Sequence, residues 1–236
     1  MIENDFDSAE FLDDDAELSL LEQARRQPEI PLIRIDQYVL PFIQFVMELE
    51  DLVDVATLRR AMETNGFVGF SYNTEDDEFM PRPKSVGVAA RVVSIEKTDY
   101  GDLHLVRIEP QVRYFIDFYV QNETNEDSAI VKVTYFEDDE EPVEDILPHV
   151  AEFNQIAKEL NKFVDKQRRR MDWWHEATID EAYIFSFAFW RVVDPKPESR
   201  QVLQHLTSTS KRLHWLNKCL DVFRLETEMR FPARFN

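Results

Sequence analysis

The spacing of apolar residues changes once along the chain, near residue 142. From Ile30 to Phe136 they fall in short β-branched and aromatic runs: "PLIRI", "QYVLPFIQFVMEL", "GFVGFSYN", "VGVAARVVSIE", "LHLVRIE", "VRYFIDFYV" and "AIVKVTYF". Side chains of a strand point alternately to its two faces, and β-branched and aromatic groups pack well there, so these runs predict strands. "VRYFIDFYV" sets Tyr114, Ile116, Phe118 and Val120 on one face against Phe115, Asp117 and Tyr119 on the other. "KTDYGD" supplies a hairpin turn, with Gly101 at the permissive position. Pro41 marks an edge or a bend. One segment breaks the rhythm: "VDVATLRRAMETN" puts Val55, Leu58 and Met62 on one helical face, with Gly66 past its end.

After "EDDEEPVED" the period becomes helical. Val143, Ile146, Leu147, Val150, Phe153, Ile156, Leu160 and Phe163 recur three or four apart and predict one buried stripe. Pro148 suits a first turn, so the helix is expected to start there. Thr178 to Glu181, "TIDE", reads as a capping box opening a helix through "AYIFSFAFW". A short helix is expected between Glu198 and Leu206. The last helix, from Ser210 to about Arg230, turns Leu213, Leu216, Leu220 and Phe223 inward. The expected class is α+β: a small β-barrel, which removes exposed strand edges, followed by a helical bundle. The expected boundaries are an acidic leader over 1–29, partly disordered or a short helix stopped by Pro28, a β-domain over 30–142 and helices over 143–236.

Charge narrows the partners. The chain of 236 residues has a formal net charge of -20. Residues 1–29 hold ten acids against two bases, residues 30–142 hold 23 against ten, and residues 143–236 hold 14 against 15. Such a field repels nucleic-acid phosphates and anionic membranes within about 8 Å, the Debye length at physiological salt. The single cysteine, Cys219, excludes an internal disulfide framework and fits a reducing compartment. The opening "MIENDFDSAE" lacks a basic start and an apolar segment, and "AYIFSFAFW" is too short to span a bilayer. The expected location is the cytoplasm.

Catalytic patterns are missing. None of the four glycines, Gly66, Gly69, Gly87 and Gly101, precedes a lysine, so no phosphate-binding loop of the Walker type is present. His104, His149, His175, His205 and His214 form no metal-ligand spacing, and no cofactor is expected. Cys219 lies among apolar neighbours on the last helix, which suits an inert thiol. The acidic runs at 75–78 and 137–141 read as solvated loop charges. "KQRRRMDWW", Lys166 to Trp174, is the one basic patch with aromatics beside it; at a helix C-terminus it offsets the dipole of the exposed carbonyls.

Three stretches together resemble the N-terminal domain family of Lon proteases. "IPLIRIDQYVLPFIQFVMELED" is similar to that family's opening strand and loop, and "GVAARVVSIEKTDYGDLHLVRIEPQVRYFI" to its hairpin and return strand. "SRQVLQHLTSTSKRLHWLNKCLDVFRLE" is similar to its late helical segment. The chain departs from the pattern twice. Pro41, Phe42 and Ile43 stand where the family has Phe-Pro-Gly, and Glu109, Pro110 and Gln111 stand where a glycine precedes the return-strand arginine, here Arg113. The resemblance implies a PUA-like β-barrel followed by a helical bundle, a substrate-recognition module without the family's ATPase and Ser–Lys peptidase parts.

The function so implied is non-catalytic binding of exposed apolar segments of unfolded or partly unfolded polypeptides, or an adaptor role with a protease or chaperone as partner. Candidate contacts are Tyr38, Phe42, Phe45, Phe115 and Tyr119, which sit where strands meet loops or on the less regular face. Two rivals stand beside this reading. One is a PUA-like RNA binder using Lys166 to Arg170; the other is an enzyme with an unrecognised carboxylate or histidine site.

Overall fold

The computed structural model describes residues 22–35, 39–64, 66–72, 85–99, 101–121, 128–160, 176–188 and 202–230. Six strands form one mixed sheet: β1 (Glu29–Ile35), β2 (Phe45–Leu49), β3 (Val68–Tyr72), β4 (Val86–Lys97), β5 (His104–Gln121) and β6 (Ala129–Phe136). The helices α1 (Leu52–Thr64), α2 (Val143–Leu160), α3 (Ala182–Ala188) and α4 (Thr209–Arg230) complete an α+β fold.

The pairings run β5–β4–β3–β1–β6 and return to β5, a closed circuit in which only β1 with β3 is parallel. β2 stands outside it, antiparallel to the first third of β5. Alternation gives each face its own core. Ile30, Leu32, Ala89, Val112, Tyr114, Ile116, Val131 and Val133 pack on one face. Ile33, Val68, Phe70, Val88, Val106 and Ile108 pack on the other, under Leu58 and Ala61 of α1. Tyr114 needs glycine opposite: a Cβ at Gly87 would lie 2.3 Å from its hydroxyl, and one at Gly69 would lie 2.5 Å away.

Helix α1 forms much as its sequence predicts. The Asp51 carboxylate accepts the Val53 N–H at 2.8 Å as an N-cap, and the Gly66 N–H donates to the Ala61 carbonyl at 2.8 Å beyond its end. Its inward face is Val55, Leu58 and Ala61; Met62, expected inside, is exposed.

Strand β5 differs more. The two predicted strands are one strand of 18 residues that runs through Pro110. Two irregularities in its pairing with β6, between Ile116 and Phe118 and between Tyr119 and Gln121, each place an extra residue on β5. The expected alternation therefore breaks after Ile116. Phe118 and Val120 turn outward, 53% and 46% exposed, while Tyr119 packs on the core with Tyr114.

Helices α2 and α4 run in the same direction. The ring of His149 meets that of His214, Asn217 Nδ2 donates to the Glu152 carboxylate at 3.0 Å, and Arg224 pairs with Glu159 at 3.3 Å. Val150, Phe153 and Ile156 pack with Leu213, Leu216 and Leu220 as expected. Val143, Leu147 and Phe223, expected on the inward stripe, are exposed. Pro148 lies inside α2 instead of starting it. Half of the expected capping box is present: the Thr178 N–H and hydroxyl both donate to Glu181 Oε2, at 3.1 and 2.8 Å, ahead of a turn that leads into α3 at Ala182. The Asn154 side chain fixes that turn to α2 through two hydrogen bonds with the backbone of Ala177, of 2.8 and 2.9 Å.

Candidate functional site at the junction of sheet and helices

The run Glu137 to Glu141, expected to be solvated, instead joins the sheet to the helices. Arg113 of β5 is buried and cannot reach bulk water. Its guanidinium donates to the carbonyls of Gln204 and Leu206 at 2.8 and 2.7 Å and to the Asp138 carboxylate. Arg212 of α4, fully buried, binds both oxygens of the same carboxylate, the Leu206 carbonyl at 2.7 Å and the Ser186 hydroxyl at 3.0 Å. The Phe187 ring lies beside both guanidiniums, 5.2 Å from that of Arg113 and 4.2 Å from that of Arg212. Burial lowers the pKa of Arg113 and the Asp138 charge opposes that shift.

Glu141 stands at the N-terminus of α4, where unpaired N–H groups and the helix dipole favour an anion. It accepts the Ser210 N–H at 3.0 Å and the hydroxyls of Ser208 and Ser210 at 2.7 and 2.6 Å. Burial pushes the Glu141 pKa up, but these bonds outweigh it and hold the group below the usual carboxylate range. Ser208 is itself the cap of α4, accepting the Lys211 N–H at 3.1 Å. Gln204 Nε2 donates to the Val39 carbonyl at 3.0 Å and so ties the segment before β2 to the same junction.

The expected binding residues separate. Tyr38 lies outside the described residues, as does the basic run Lys166 to Arg170 on which an RNA-binding reading rests. Phe42, at φ 62°, turns its half-buried ring onto Tyr183 of α3 at 5.2 Å. Phe115 stacks on Phe136 at 4.2 Å and meets His205 at 5.8 Å. Both therefore line the junction. Phe45 is sealed in the core beneath α1, because the alternation of β2 turns it inward with Met47. Tyr119 is half-buried on the opposite face of the sheet.

Apolar exposure lies elsewhere. Trp215 and Val222, seven residues apart on α4, are 51% and 56% exposed, and Phe118 and Val120 project from β5. Helical spacing could have found the first pair; the outward turn of Phe118 could not be read before the bulge was known. Among the described residues no group of three or more histidines, cysteines, aspartates or glutamates could hold a metal ion. Burial pushes the Cys219 thiol up, away from the reactive thiolate. Among the described residues no helix is long and apolar enough to cross a membrane.

A mixed sheet of five strands in a closed circuit and a sixth appended to it, joined through a buried carboxylate to parallel helices, defines an α+β module. Its fold is that of the Lon protease N-terminal domain. The N-terminal domain of the Lon protease of the Mycobacterium avium complex superposes with a TM-score of 0.61 at 20% identity, over 82% of this chain and 98% of that one. A Lon N-terminal domain protein from Xanthomonas campestris superposes with a TM-score of 0.56 at 15% identity, over 80% and 96%. No family model and no curated protein matches the sequence.

Proposed function

We propose that the chain is a non-catalytic module that binds exposed apolar segments of unfolded or partly unfolded polypeptides, alone or as an adaptor to a protease or chaperone. The carrying observation is the apolar surface held outward on rigid elements, above all Trp215 and Val222 along one stripe of α4. The likeness in fold to the N-terminal domains of Lon proteases supports it. On this reading the closed circuit of strands is a small PUA-like barrel over 30–142, the helices over 143–236 form a bundle, and residues 1–29 are a leader. Phe42 and Phe115 then belong to the seam that holds the two parts in place, with Tyr38 and Tyr119 as further contacts.

Three such anchors contribute roughly 1.5–3 kcal/mol each. Ordering a flexible client consumes much of that, so binding is weak and broad. The test is titration with a reduced, alkylated client protein that cannot fold. Saturable binding that weakens about tenfold in Trp215→Ser, with the melting temperature unchanged, supports the function. Absence of saturable binding by the folded protein refutes it. Steep salt-dependent binding of single-stranded RNA in its place would favour the RNA-binding alternative.

A further inference from the structure

Lys211, Trp215, Lys218 and Val222 stand four, three and four residues apart on α4 and form one exposed stripe. The chain holds 47 acids against 27 lysines and arginines, yet among the described residues neither of these two ammoniums is paired with a carboxylate. The acids nearest in the fold are held by other groups. Asp221 and Glu159 bind Arg224 at 2.6 and 3.3 Å, and Glu152 accepts the Asn217 amide at 3.0 Å. Glu141 accepts the hydroxyls of Ser208 and Ser210. Glu144 and Asp145, in the first turn of α2, pair with neither lysine. His214 lies beside the stripe with its ring against His149, and Glu226, one turn past Val222, bounds it.

Two turns of helix set the lysine positions about 10 Å apart, with Trp215 between them and Val222 one turn on. An acid near each lysine and an apolar side chain on the indole match that spacing. The field of a chain at -20 opposes an acidic ligand at long range. At contact the two ammoniums act within the Debye length of about 8 Å, whereas acids farther off are screened. A second copy would bring two more lysines to the stripe, which makes it the wrong occupant.

We propose that the outer stripe of α4 takes an acidic, apolar segment of a client polypeptide, its carboxylates on Lys211 and Lys218 and its apolar side chain on Trp215 and Val222. This rests on the reading of the chain as a polypeptide-binding module and names the class of segment taken at one site. Burial of the indole supplies affinity, while the two lysines select charge.

The probe is a labelled peptide with phenylalanine set between glutamates, compared with a counterpart in which glutamine replaces each glutamate. Both are titrated by fluorescence anisotropy at low and at physiological salt, beside the unfolded client. The expected result is saturable binding of the glutamate peptide, about tenfold weaker binding of the glutamine peptide, and a difference that shrinks as salt rises. Lys218→Glu, at an exposed position, should abolish the preference with unchanged circular dichroism. Equal or tighter binding of the glutamine peptide, or a preference that Lys218→Glu leaves intact, overturns the acidic-segment site; if the client still binds, the broader function stands. Glutamate-peptide affinity that rises with salt overturns it as well, because the field of the whole chain then governs. Sedimentation showing dimers that Trp215→Ser dissociates would assign the stripe to a second copy and also overturn it. If neither client nor peptide binds, both readings fall.

Discussion

Arg113 and Arg212 come from a strand and a helix, yet both guanidiniums converge on one carboxylate, that of Asp138. Two buried cations sharing one anion are stable only while that anion is present, because desolvation of the pair is offset by its charge and by the carbonyls of Gln204 and Leu206. Asp138→Ala is therefore expected to destabilise the fold by about 3–5 kcal/mol, the range for breaking a buried ion pair. Urea unfolding measures it. A loss below about 1 kcal/mol would mean that water, not Asp138, satisfies these arginines.

Two glycines separate close approach from backbone strain. A Cβ at Gly87 would meet the Tyr114 ring and lie 2.7 Å from the Phe70 carbonyl, whereas Gly101, at φ +66°, has open space around it. Gly87→Ala should cost about 2–3 kcal/mol through overpacking. Gly101→Ala should cost about 1–2 kcal/mol, from left-handed backbone alone, and Gly101→Asn less. Adding Tyr114→Phe should recover only part of the Gly87→Ala loss, since the ring carbon and the carbonyl still obstruct. Equal melting temperatures for the two alanine variants would refute the distinction.

Local pattern carried the strands and helices because periodicity is set by neighbours in sequence. Val150, Phe153 and Ile156 mark the inward face of α2 wherever that helix lies. The bulges of β5 arise from its pairing with β6, so nothing in "VRYFIDFYV" announces that Phe118 turns out. The junction was still less legible. "EDDEE" has the composition of a solvated loop, and what makes Asp138 structural is an arginine 25 residues before it and another 74 after it.

The broken alternation of β5 gives a direct comparison. Ile116 is buried and Phe118 is half out in solvent, with the Lys132 ammonium 5.5 Å from its ring. Ile116→Ala should cost about 2–5 kcal/mol and Phe118→Ala less than about 1 kcal/mol. Regular alternation would make the two losses similar, so chemical denaturation of the pair tests the bulge itself.

Acid should loosen the junction in two stages. Burial lowers the pKa of His205, and the nearby Arg113 charge adds to that shift. A depressed histidine favours its neutral form in the fold, so the unfolded chain binds the extra proton and stability falls as pH drops below about 6.5, the ordinary histidine value. Glu141 is held below the ordinary carboxylate value of 4.5, so its contribution is present above that pH and lost as pH falls through its lower folded value. Both act in the same direction, at different acidities. Melting temperature should therefore show a shallow decline below about pH 6.5 that His205→Gln removes, and a second decline below about pH 4.5 that Glu141→Gln reduces. Added salt should weaken only the part of the first step that comes from the Arg113 charge, because burial and hydrogen bonds, which set the rest, are not screened. A His205→Gln profile that matches the wild type across the first window would show that this ring does not sense the junction.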